Sequence, residues 1–154
     1  MIKIPEKEGR LSAAKAAHIE AVIAFVKRKT EGYRRDLFAN ISRVMLVSGT
    51  FEDMSARDDW SWLSDFILAD VKTLKQMIGR PELLQFDEFK RMYSDYFSAG
   101  SDKYVDASTK YNAYTFIENL GVTICPYCDE EYLDVVENGN GGKLRTLEID
   151  HFFP

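Results

Sequence analysis

The sequence predicts a mainly α protein, an N-terminal bundle of about five helices followed by a cysteine knuckle and a β-hairpin. Three observations carry this reading. Apolar residues recur at helical spacing from Leu11 to Leu120. Beyond Gly121 that period gives way to β-branched and aromatic runs on either side of an Asn/Gly cluster. A chain of 154 residues that is 45% apolar can also bury one core of ordinary domain size.

Each element has its own signal. Ile19, Val22, Ile23 and Val26 place a first helix over Leu11 to Lys29, with alanines filling much of the remainder and Gly32 as its stop. Leu37, Ile41, Val44 and Met45 place a second over Tyr33 to Val47, closed by the turn chemistry of Ser48-Gly49-Thr50. Asp58 or Asp59 can cap a third, whose Trp60, Leu63, Ile67, Val71, Leu74 and Ile78 form one stripe ending near Gly79.

Pro81 suits the first turn of a fourth helix, in which Leu83, Phe86, Phe89, Tyr93 and Tyr96 share a side until Ala99-Gly100-Ser101. A fifth is expected from about Tyr104 to Leu120, with Tyr111, Tyr114 and Ile117 on one face and Gly121 as its stop. The aromatic stripes read as core packing before they read as base-stacking platforms. Tyr132 to Val136 and Leu144 to Ile149 then form a hairpin around Asn138-Gly139-Asn140-Gly141-Gly142. The organisation expected is a helical bundle over residues 1–121, serving docking or scaffolding, and a second module over residues 122–154.

Composition excludes several classes. No run of eighteen apolar residues exists, and Met1 to Arg10 lacks the hydrophobic stretch of a signal peptide, so a cytoplasmic protein without a membrane span is expected. The only cysteines, Cys125 and Cys128, are three apart, which favours metal or redox chemistry over a structural disulfide. Residues 121–154 carry the entire net charge of −5. An acidic segment repels phosphate unless a cation or basic groups from elsewhere intervene.

The chemistry concentrates in that tail. Cys125-Pro126-Tyr127-Cys128 can close two thiolates onto one metal ion, which makes half of a four-ligand zinc site. The same string occurs in glutaredoxin-like redox sites. That alternative is disfavoured because such a fold needs further strands, helices and a cis-Pro loop after its motif. Asp150-His151, followed by Phe152-Phe153-Pro154, can set a cation ligand beside an imidazole poised as a base. His18, among Ala16, Ala17 and Ile19, reads first as a partly buried helix residue and only second as a ligand.

In order, the Cys-Pro-Tyr-Cys string, a hairpin of roughly twenty residues and Ile149-Asp150-His151-Phe152-Phe153-Pro154 resemble the HNH endonuclease family of the ββα-metal type. The closest resemblance is to the HNH proteins of bacterial anti-phage defence loci, including the nuclease subunit of Septu-type systems, which work beside an ATPase. The resemblance implies His151 as general base, Asp150 as ligand of a catalytic Mg²⁺ or similar divalent ion, and Cys125 with Cys128 as half of a structural Zn²⁺ site. It covers about the last fifth of the chain. The family's central Asn, following helix and second Cys pair have no counterpart before Pro154, so residues 122–154 are expected to be the first part of a nuclease module truncated at 154.

Lys27, Arg28 and Lys29 with Arg34 and Arg35 form a basic cluster that can track a phosphate backbone, and Lys143 and Arg145 add charge on the hairpin. Basic residues at a helix C-terminus also answer the macrodipole, which is the blander reading of the first group. The function expected is metal-dependent hydrolysis of DNA phosphodiester bonds, with an ATPase or other defence-complex subunit as partner, or a second copy completing the zinc site. The rival is a non-enzymatic zinc-knuckle module or an inactive remnant that docks a partner. Only the first requires His151.

Overall fold

A computed structural model of the chain describes residues 9–69, 72, 90–98, 100, 102–121, 135–137, 139–140 and 143–145. The described residues are mainly helical and fall into two compact units, one running from Val22 to Lys90 and the other combining the residues up to Ala21 with those from Arg91 onward. The boundary lies within the first helix, α1 (Arg10–Lys27).

The Val22–Lys90 unit contains the end of α1, then α2 (Glu31–Met45), α3 (Phe51–Ala56) and α4 (Ser61–Ile67). α1 closes two residues earlier than the spacing predicts, in a turn where Arg28 N–H donates to the Phe25 carbonyl and Lys29 N–H to that of Val26. Gly32 is not its stop. Thr30 caps α2 by accepting from Tyr33 N–H at 3.3 Å, and Gly32 lies in the first turn of α2.

Leu37, Phe38 and Ile41 are the buried face of α2, and α4 packs against it through Trp62, Leu63 and Phe66. Phe38 meets Trp62 edge to face at 5.2 Å and Phe51 at 5.9 Å, so one ring ties three helices together. Each fully buried aliphatic such as Leu63 or Ile41 contributes about 1.5–3 kcal/mol. α3 lies between the Ser48-Gly49-Thr50 turn and the third predicted helix, where the pattern predicts no element. Thr50 caps it by accepting from Asp53 N–H at 3.2 Å, and the Thr50 hydroxyl returns a bond to the Asp53 carboxylate at 2.9 Å. Only the first of these bonds belongs to a capping box, because the Asp53 carboxylate is met by the Thr50 hydroxyl and not by the Thr50 backbone N–H.

The third predicted helix is shorter than its stripe. α4 ends at Ile67, where Leu68 N–H bonds to the Ser64 carbonyl and Ala69 N–H to that of Phe66, a tightened last turn. Lys72 is helical again, while Val71, Leu74 and Ile78 lie outside the described residues. Neither predicted aspartate is the cap residue. Trp60 holds that position without a side-chain bond, and Asp59 instead accepts from Ser61 N–H at 3.0 Å. Asp58 sits in the left-handed region at φ 51°.

In the other unit, Ala14 and Ala21 of α1 are buried. Of the predicted fourth helix, the described end is helical at Lys90 and Arg91 and widens into a π-helical turn over Met92–Phe97, with Ser98 N–H reaching the Tyr93 carbonyl at 2.8 Å. The fifth predicted helix begins nine residues late, as α5 (Ala113–Leu120), when its start is set against Tyr104. Tyr104 to Asn112 is a turn instead, closed by an antiparallel bridge in which Val105 N–H donates to the Tyr111 carbonyl and Tyr111 N–H to that of Asp106. The reason is local: the Asp106 carboxylate takes bonds from Ser108 N–H and from the Ser108 and Thr109 hydroxyls, competing with a helix.

Gly121 ends α5 as predicted, at φ 59°, with its N–H on the Ile117 carbonyl at 3.1 Å. A side chain there would collide with that of Arg10. Farther on, β1 (Val135–Glu137) pairs antiparallel with β2 (Lys143–Arg145), in the register Val135 to Arg145, Val136 to Leu144 and Glu137 to Lys143.

Candidate functional site

The tail residues singled out by the sequence, Cys125, Cys128, Asp150 and His151, lie outside the described residues. Between the two halves of that motif, the β1–β2 ladder sets the backbone of Lys143 opposite Glu137 and that of Arg145 opposite Val135. Among the described residues no group of three or more His, Cys, Asp or Glu side chains could hold a metal ion.

The basic cluster is visible in part, and its cations are engaged locally. Lys27 Nζ pairs with the Asp58 carboxylate at 2.8 Å and lies 5.4 Å from the Trp60 ring centroid. Trp60 Nε1–H donates to the other Asp58 oxygen at 2.7 Å. Lys27 first, then the indole N–H, hold the Asp58 carboxyl below its usual range. Asp58 thus engages one donor with each carboxylate oxygen, from a residue in the left-handed region.

Arg35 bridges Glu31 at 2.8 Å and Glu52, and its guanidinium lies 5.1 Å from the Phe51 ring. The Glu52 carboxyl is held low by its own backbone N–H and by Arg35. Arg28 and Lys29 both lie over Phe25, at 5.9 and 4.4 Å. Arg34 is half-buried, and its Nε has no hydrogen-bond partner among the described residues. Lys27 and Arg35 are therefore matched by carboxylates before any phosphate arrives. This arrangement favours the structural reading for those two cations over backbone tracking.

A second polar cluster was not anticipated as a unit. His18 on α1 is half-buried, with Nδ1 3.1 Å from the Tyr111 hydroxyl and Nε2 3.2 Å from that of Tyr93. Phe97 and Phe116 complete the surround, with ring centroids 5.4 and 5.7 Å from the imidazole. The π-helical turn brings Tyr93 and Phe97 to it together, and their rings meet edge to face at 5.6 Å. Burial raises both phenols well above their usual range, and the neighbouring Tyr93 raises Tyr111 further.

With both nitrogens engaged by phenols, His18 has the surroundings of a structural histidine and lacks the open lone pair that a general base needs. Sequence reasoning names Tyr93 and Tyr111 as stripe residues and misses their joint partner. The separations of 75 and 93 residues leave no local pattern that would reveal it.

No protein-family model, curated protein or solved structure matches the chain in comparisons with known proteins.

Proposed function

We propose that the chain carries part of a metal-dependent HNH endonuclease that hydrolyses DNA phosphodiester bonds, acting with a partner subunit in anti-phage defence. The observation that carries this reading is the order of the tail: a cysteine pair at Cys125 and Cys128, then an Asn/Gly-turn segment, then Asp150-His151. The antiparallel pairing of β1 with β2 supports it, because a paired ribbon between the two halves is what such a module requires.

In this reading Cys125 and Cys128 supply two thiolates to a structural zinc site, and Asp150 supplies a carboxylate to a divalent ion. When bound, that ion would neutralise charge on the scissile phosphate and its departing oxygen. His151 takes the proton from the attacking water, a role that requires a neutral imidazole. The acidic balance of residues 121–154 makes the cation a condition of phosphate approach as well as of chemistry.

The test is His151→Ala in the natural protein, assayed for Mg²⁺-dependent cleavage of plasmid DNA. Cleavage should fall by about 10²–10⁴-fold, the size of a lost general base, with zinc content unchanged. Cleavage retained at parental rate overturns the assignment. Cys125→Ser should release zinc while leaving the helical circular dichroism signal in place.

A further inference from the structure

The Val22–Lys90 unit carries a cleft of about 340 Å³, at the small end of the range for ligand sites. Met45, Met54 and Trp62 supply its apolar lining, and Met54 and Trp62 are buried. Ser48 and Asp65 are exposed at its edge, and Leu46 stands beside them 86% exposed.

Two independent features make this cleft negative. α2 ends on it, with Leu46 in the left-handed region at φ 52°. Among the described residues no backbone N–H beyond Met45 closes onto the carbonyls of Ser42 to Met45, so the negative end of the α2 dipole is uncapped by the backbone. Asp65 then adds a carboxylate, and no hydrogen bond or ion pair takes it up among the described residues. Two cations stand nearby and neither lines the cleft: Arg43 reaches back to the Asn40 side-chain oxygen at 3.4 Å, and Arg57 bonds the Asp53 carbonyl at 3.2 Å while its guanidinium comes within 3.8 Å of the Met54 sulfur.

We propose that this cleft binds a small amphipathic organic cation, an ammonium head on an alkyl or aryl body. The body lies against Met45, Met54 and the Trp62 indole, where thioethers and an aromatic ring favour a soft or charged group. The head faces Asp65 and the carbonyl end of α2. A neutral ligand of the same shape would gain the apolar contacts alone. An anion would meet the carboxylate and the wrong end of the dipole.

The probe is benzyltrimethylammonium, followed through the ε-methyl NMR signals of Met45 and Met54, with benzyl alcohol as the neutral control. The cation should give saturable shifts at both methyls in the millimolar range. Asp65→Asn, an exposed change, should weaken it by about threefold, the scale of an exposed ion pair. Equal binding of benzyl alcohol, an Asp65→Asn variant that binds as the parent does, or no saturable shift at either methyl would each overturn the proposal. Shifts that grow with protein concentration alone would also overturn it, by assigning the cleft to Leu46 of a second copy.

Discussion

Asn112→Ala is the substitution from which most can be learned about the unit holding α5. The Asn112 side chain is 2% exposed and bonded at both ends. Its Oδ1 accepts from Tyr114 N–H at 3.0 Å and Thr115 N–H at 3.2 Å, while Nδ2 donates to the Lys103 carbonyl at 2.9 Å and more weakly to that of Gly100 at 3.4 Å. Losing the cap costs about 1 kcal/mol. Losing the bond to the carbonyl of Lys103, an exposed residue whose carbonyl water can reach, adds about 0.5–1.5 kcal/mol. The sum, about 1.5–2.5 kcal/mol, is a sizeable share of the 5–15 kcal/mol typical of a domain.

Urea denaturation followed by circular dichroism should show that loss as a lower midpoint with an unchanged slope. Hydrogen exchange should speed first at the Tyr114 and Thr115 amides. Asn112→Ser restores an acceptor without the amide donor and should recover about 1 kcal/mol. A loss below about 0.5 kcal/mol in the Ala variant, or a Ser variant no better than Ala, would refute the claim that one side chain both starts α5 and holds the preceding turn.

Leu46→Gly should stabilise the protein by about 0.5–1 kcal/mol in the same urea assay, since glycine adopts the left-handed C-cap without steric cost and the leucine buries almost nothing. Alkaline unfolding should reflect the two buried phenols. Because Tyr93 and Tyr111 are raised above the ordinary value of 10.0, the unfolded chain loses these protons first. Their contribution is intact below about pH 10 and is lost as pH rises above it. Absorbance titration at 295 nm should show two tyrosines ionising only with unfolding, and Tyr93→Phe with Tyr111→Phe should remove that late step.

Legibility in the sequence followed how local the cause was. α1 and α2 were readable because each repeats its apolar spacing over several turns, and Gly121 was readable because a left-handed stop has a residue signature. α3 was missed because six residues hold too little periodicity, although Thr50 and Asp53 carried its cap. The stripe through Ile67 overran because nothing in Leu68-Ala69 marks a stop; the tightened turn there is made by backbone bonds alone.

Tyr111 misled in the other direction. Its spacing from Tyr114 suits a helix, yet it belongs to a bridge whose driving residues are Asp106, Ser108 and Thr109. For the candidate nuclease site, the sequence supplies residue types and order, and the geometry that would rank Asp150 and His151 lies outside the described residues. The basic cluster shows why type alone is insufficient. Lys27 and Arg35 look available in a string of letters but are paired across 31 and 17 residues with Asp58 and Glu52.

The imidazole between two phenols has one more property. A neutral ring carries one N–H and one lone pair, so the two tyrosines cannot be equivalent: one hydroxyl must give its proton to the ring while the other receives one. The three groups thus form a directed chain through the packing of this unit, with a polarity that the heavy-atom positions leave symmetric. Reversing it would require both hydroxyls to swing and the ring proton to change nitrogens in concert, inside a shell of four aromatic rings. A single set of imidazole ¹⁵N shifts, one pyrrole-like and one pyridine-like, would be the mark of that fixed direction.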